Sequence, residues 1–69
     1  MSTKSFMALI EKKKSFYGIS DEVLAEVIGV SERTFKRRKR NPGQFTIDEM
    51  NYLIKFLKFT EDERKEALL

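Results

Sequence analysis

The chain has 69 residues, of which 14 are Lys or Arg and 11 are Asp or Glu, for a formal net charge of +3, and it contains neither cysteine nor histidine. That length fits one small domain, residues 1–69, with modest burial, and the composition excludes disulfides, thiolate zinc sites and histidine-based metal binding or catalysis. No apolar run approaches the ~20 residues of a membrane span, and Met1 to Ile10 lacks the long apolar centre of a signal peptide.

The pattern is helical throughout, with no sustained alternation of the kind a strand needs. A first helix is predicted from about Thr3 to Ser15, with Ser2 or Thr3 as cap. Phe6, Leu9 and Ile10 share a face there, along which the stem of Lys13 can lie. Gly18 suits a left-handed helix end. A second helix starts after Ser20, a good N-cap, with Asp21 and Glu22 where the helix dipole favours acids. Val23, Leu24, Val27 and Ile28 form its apolar face, and Gly29 breaks it.

A third helix starts after Ser31 and ends near Arg40, because Pro42 disfavours helical geometry at Asn41. A fourth has the strongest start signal in the chain. Thr46-Ile47-Asp48-Glu49 is a capping box, with Phe45 and Met50 at hydrophobic-staple positions. Ile47, Met50, Ile54 and Leu57 make one stripe with Leu53 beside it, and Tyr52, Phe56 and Phe59 make a second. A fifth, short helix follows another capping box, Thr60-Glu61-Asp62-Glu63.

Charge is unevenly spread. Ser31 to Arg40 holds six bases against Glu32, a net +5, whereas Thr60 to Leu69 is net −2. A helix with Phe35 as its one large apolar residue contributes little to a core and makes sense as a surface offered to a polyanion. The preceding segment supplies a mount for it. Gly29 tolerates the positive φ of a turn of about three residues, Ala25 is small enough for close helix approach, and Leu24, Ile28, Val30 and Phe35 can pin the corner.

The segment GISDEVLAEVIGVSERTF, Gly18 to Phe35, resembles the lambda-repressor-like helix-turn-helix family, the phage repressor and Cro class of bacterial regulators. The resemblance continues through Pro42 and the capped fourth helix. It implies an all-α, five-helix domain whose motif spans about residues 21–40, with its second helix in the major groove. Carried over residue by residue, it puts Ser31, Glu32 and Arg33 at the base edges, with Lys36 and Arg37 one turn on. Arg38, Lys39, Arg40 and Asn41 then fall to phosphates. Arg33 can fork onto guanine O6 and N7, and Glu32 can accept from cytosine N4; Glu32 serves equally well as a first-turn dipole residue. The N-terminus of the second helix can offer backbone N–H groups to a phosphate.

Two positions depart from the family pattern. Asp21 stands where Gln is common, which sets it up to pair with a nearby base. Arg38 stands where an apolar anchor is usual, so either its stem covers the core or the third helix docks less firmly.

The resemblance implies a sequence-specific regulator of double-stranded DNA, Cro-like or a phage or prophage repressor, which excludes polymerase as a dimer from the cytoplasm of a bacterium or a phage-infected host. The chain is then either complete, dimerising through its last two helices, or the DNA-binding half of a longer repressor truncated after Leu69. Tyr52, Phe56 and Phe59 read either as core, which suits Phe56 best, or as a dimer surface. The same stripe could serve a protein–protein adaptor, such as an antitoxin-like partner. A third reading is charge-driven binding of RNA or an anionic membrane. Lys12, Lys13 and Lys14 read as a solvated face. No cofactor, metal or small-molecule ligand is implied. Catalysis lacks candidates: Asp48-Glu49 and Glu61-Asp62-Glu63 are first-turn acids, and no glycine-rich phosphate loop is present.

Overall fold

A computed structural model describes residues 3–68, with side chains from Ser5 to Ala67. The described residues form five α-helices and no strand: α1 (Thr3–Tyr17), α2 (Asp21–Ile28), α3 (Glu32–Arg40), α4 (Ile47–Phe56) and α5 (Glu61–Leu68), with a 3-10 turn at Pro42–Gln44 between α3 and α4. α1 packs on α5, while α2 packs on both α3 and α4. The capping role considered for Ser2 lies outside the described residues, and Thr3 is already helical.

Side-chain caps set the helix starts. The hydroxyls of Ser20, Ser31 and Thr46 accept from the N–H groups of Val23, Thr34 and Glu49. Both capping boxes are formed: the Thr46 N–H donates to Glu49 Oε1 at 3.0 Å, and the Thr60 N–H to Glu63 Oε1 at 2.8 Å. Each such cap satisfies backbone donors that the helix itself cannot.

Three helix ends share one geometry. Gly18, Gly29 and Lys58 adopt left-handed φ values of 66°, 75° and 56°. The next residue's N–H then donates back across the last turn, from Ile19 to Lys14 O, Val30 to Ala25 O and Phe59 to Ile54 O. This is the Schellman closure. At the first end α1 runs two residues beyond Ser15, because Gly18 itself is the stop. At the third the stop carries no glycine, so the sequence pattern ran through it and put Phe59 on the α4 stripe. The turn at Lys58 instead directs Phe59 into the core, where it is 9% exposed.

The core is built round Phe6, Ile10, Leu24, Phe35, Leu53 and Leu57, all fully buried. Four aromatic rings run through it in series. Phe35 meets Phe45 edge-on at 5.9 Å, Phe45 meets Phe6 at 6.0 Å, and Phe6 meets Phe59 at 6.3 Å. Lys13 lies over the Phe59 ring and pairs with Glu63 at 2.7 Å, joining α1 to α5.

The α4 stripe is Met50, Leu53, Ile54 and Leu57. Ile47 stays outside it, largely exposed. Helical side chains lean toward the N-terminus, so at the first position Ile47 projects past the packed layer. The buried Phe45 belongs to the core there. Val23 is likewise exposed, and Ala25 takes the buried place on α2 beside Leu24 and Ile28.

Candidate nucleic-acid interface

Helix α3 is nine residues long, about 14 Å at the usual rise, a length suited to a major groove ~12 Å wide. Phe35, fully buried, fixes which side faces the core. Helical geometry then sorts the rest: the residues three and four positions after Phe35 fall toward the core, and Arg33, Lys36, Arg37 and Arg40 fall away from it. Arg33, Lys36, Arg37 and Arg40 are exposed along one outward stripe with i, i+3, i+4 and i+7 spacing, whereas Arg38 and Lys39 are half-buried.

The two inward cations are both paired inside the protein. Arg38 forms a hydrogen-bonded ion pair with Glu49 Oε2, the same carboxylate that closes the α4 capping box through its other oxygen. Lys39 Nζ donates to Asp21 Oδ2 at 3.1 Å and lies 2.7 Å from Glu11 Oε1, an ion pair without hydrogen-bond geometry. Lys14 Nζ donates to Asp21 Oδ1 at 2.7 Å and lies 3.1 Å from Glu11 Oε2. Two acids and two lysines thus link α1, α2 and α3. Asp21, at the departure from the family's Gln, holds a lysine from each side.

Partial burial raises the carboxyl pKa values of Asp21 and Glu11, but Lys14 and Lys39 together outweigh it and leave both below their ordinary values. For Lys14, burial works to lower the pKa, and Asp21 and Glu11 override it, so the ammonium is held above its ordinary value. Glu49 is lowered in the same way, burial being overcome by the Thr46 backbone N–H and Arg38. All of these groups are charged at neutral pH.

The outward stripe is different. Among the described residues, Arg33, Arg37 and Arg40 make no ion pair, and Lys36 has only an exposed contact with Glu32 at 3.2 Å. Ser31 is exposed, but its hydroxyl is engaged at both ends, accepting from the Thr34 N–H and donating to Thr34 Oγ1. Asn41, also exposed, closes α3 with its N–H on Arg38 O.

The motif's corner is compact. Leu24, Ala25, Ile28 and Phe35 are buried, Val30 is packed against them, and Gly29 carries the left-handed turn. Of the second α4 stripe, Tyr52 and Phe56 are 54% and 42% exposed, one turn apart on the side away from the core, whereas Phe59 is inside it.

Some features carried little sequence signal. Glu11 had none, and Glu49 read only as a cap. Lys13 and Lys14 are half-buried in ion pairs, leaving Lys12 alone of the three exposed. Phe16, 81% exposed, stacks edge-on with Tyr17 at 5.1 Å over a shallow cleft between α1 and Glu63. The spacing of Arg38 and Lys39 from Phe35 was the available clue to their inward side.

A short helix, a tight glycine turn and a second helix that buries one aromatic and exposes a cationic stripe define a helix-turn-helix domain. The family model described as "Antitoxin Xre-like helix-turn-helix domain" matches residues 1–58. The chain belongs to that family, which is of the lambda-repressor/Xre type, a family of DNA-binding regulators and antitoxins that is not typically enzymatic. No curated protein and no solved structure matches the chain. No helix among the described residues is long and apolar enough to cross a membrane.

Proposed function

We propose that this chain is a sequence-specific regulator that binds double-stranded operator DNA as a homodimer and excludes polymerase, in the manner of a Cro-like or phage repressor in a bacterial or infected-host cytoplasm. The observation that carries this reading is the outward stripe of α3, four exposed cations on a helix anchored by one buried aromatic. Arg33 and Arg37, with Lys36 between them, reach base edges, and Arg33 offers a bidentate fork to guanine. Ser31 and Glu32 sit at the same end of the helix, where Glu32 either accepts from a cytosine amino group or steadies Lys36. Arg40 and Asn41, at the far end, meet phosphates. Arg38 and Lys39 set the helix in place, their charges already met by Glu49, Asp21 and Glu11. Tyr52 and Phe56 supply the apolar part of the dimer surface.

A second reading has support in the family description, which names an antitoxin. In that case Tyr52 and Phe56 seat a partner protein in place of a second copy of this chain. Replacing both by glutamate separates the two: a regulator that dimerises there becomes monomeric in sedimentation and loses operator affinity, whereas an adaptor sediments at the same mass as the parent.

The DNA reading is tested by Arg33→Ala. On the preferred site it costs about 1–3 kcal/mol and relaxes base preference at one position. An equal loss on every duplex makes Arg33 a phosphate contact and removes the base-reading role.

A further inference from the structure

Six cations lie in α3, yet the fold leaves only four of them outward. The other two are met by acids drawn from three other places: Glu49 at the start of α4, Asp21 at the start of α2 and Glu11 in the middle of α1. Two of these acids are well covered, and Glu11 is more open, with 43% of its side chain exposed. Side-chain exposure is 13% for Glu49 and 11% for Asp21, against 20% and 25% for Arg38 and Lys39. A capping box needs no charge at its third helical position, since Gln serves there as well as Glu. The carboxylate at Glu49 therefore does something the cap does not require. An apolar residue at Arg38 could likewise anchor the helix without any acid.

We propose that Glu49, Asp21 and Glu11 are specificity-determining residues, which hold Arg38 and Lys39 off the DNA phosphates and so suppress binding to random sequence. This inference rests on the DNA-binding reading above. Phosphate contacts are sequence-blind, and each one adds affinity for every duplex alike. A recognition helix with all six cations outward would bind random DNA tightly and gain nothing in discrimination. Spending two of them internally orients the helix and lowers that background together.

The consequence is countable. Each phosphate neutralised steepens the slope of log K against log salt by about 0.9, which near 0.15 M salt corresponds to about fivefold in affinity. Glu49→Gln keeps the capping box and releases one cation. Its expected result, per protomer, is a random-duplex slope steeper by about 0.9 and random-duplex binding about fivefold tighter, with a smaller ratio of specific to random affinity. Glu26→Gln makes the same charge change on an exposed residue of α2 that pairs with no cation among the described residues, and it leaves the slope unchanged.

The converse variants need no released cation and guard against misfolding of Glu49→Gln, which is checked by its melting curve. Arg40→Gln flattens the parental slope by about one contact, while Arg38→Gln leaves it as it was. The proposal is overturned if Arg38→Gln flattens the slope as much as Arg40→Gln, or if Glu49→Gln and Glu26→Gln behave alike. Failure of the parent to bind any duplex at low salt would instead remove the DNA reading itself.

Discussion

Replacing Phe35 by alanine is the sharpest perturbation of the domain. Phe35 is the only large apolar side chain in α3, is fully buried, and meets Phe45 edge-on at 5.9 Å in the ring series that continues to Phe6. Truncating a buried phenylalanine removes its transfer free energy and leaves a cavity, together about 3–5 kcal/mol. An edge-on ring pair accounts for about 0.5–1.5 kcal/mol beyond area burial. A chain of this size has roughly 3–10 kcal/mol of total stability at the usual value per residue. The variant therefore loses between a third of its stability and all of it. In a domain of 60–100 residues each kcal/mol lowers the melting temperature by about 4–8 °C, so the drop is at least ~12 °C. Circular dichroism at 222 nm during heating reads it directly. A variant that melts within ~2 °C of the parent would refute the docking of α3 through a buried Phe35, since so small a shift is under 1 kcal/mol.

Further outcomes follow from the helix ends and the ion pairs. Gly29→Ala places a Cβ in open space but in a left-handed backbone, so it costs about 1–2 kcal/mol through conformation alone. Lys58→Gly relieves that strain at the end of α4 and, after the extra unfolded-state entropy of glycine, stabilises by about 0.5–1 kcal/mol; urea titration measures both. The carboxyls of Asp21 and Glu11 are lowered on folding, so their contribution is present above their ordinary values of 3.8 and 4.5 and is lost as pH falls through the folded values. Asp21→Asn is accordingly less stable than the parent at pH 7 by about 1–2 kcal/mol, between an exposed and a buried pair, and the two converge in strong acid. A constant gap down to pH 2 would show that the Asp21 pairs do not contribute. Lys14 works in the opposite sense: its contribution is complete below its ordinary value of 10.5 and fades as pH rises beyond it.

Much of the architecture was legible because local chemistry and the fold agree. Ser20, Ser31, Thr46 and Thr60 each mark a helix start, and Gly18 and Gly29 each mark an end, since only a few residue types satisfy those backbone positions cheaply. Two things were hidden. Lys58 takes a glycine's conformation without being one, so nothing in the pattern showed that α4 stops before Phe59. The basic run also looked divisible along its length, with base contacts first and phosphate contacts last. Helical geometry divides it around its axis. Phe35 sets one side inward, and Arg38 and Lys39 go with it because they sit three and four positions on. Glu11, which lies 28 positions before Lys39, could be matched to it only through the tertiary packing of α1.

Selection of bound sites from a random duplex pool decides whether α3 reads base sequence. Sequence-specific binding by a dimer enriches an inverted repeat whose half-sites lie about one helical turn apart, each with a guanine that Arg33→Ala ceases to select. Recovery of unenriched sequence, with affinity set by salt alone, would contradict it and leave α3 as a sequence-blind cationic surface.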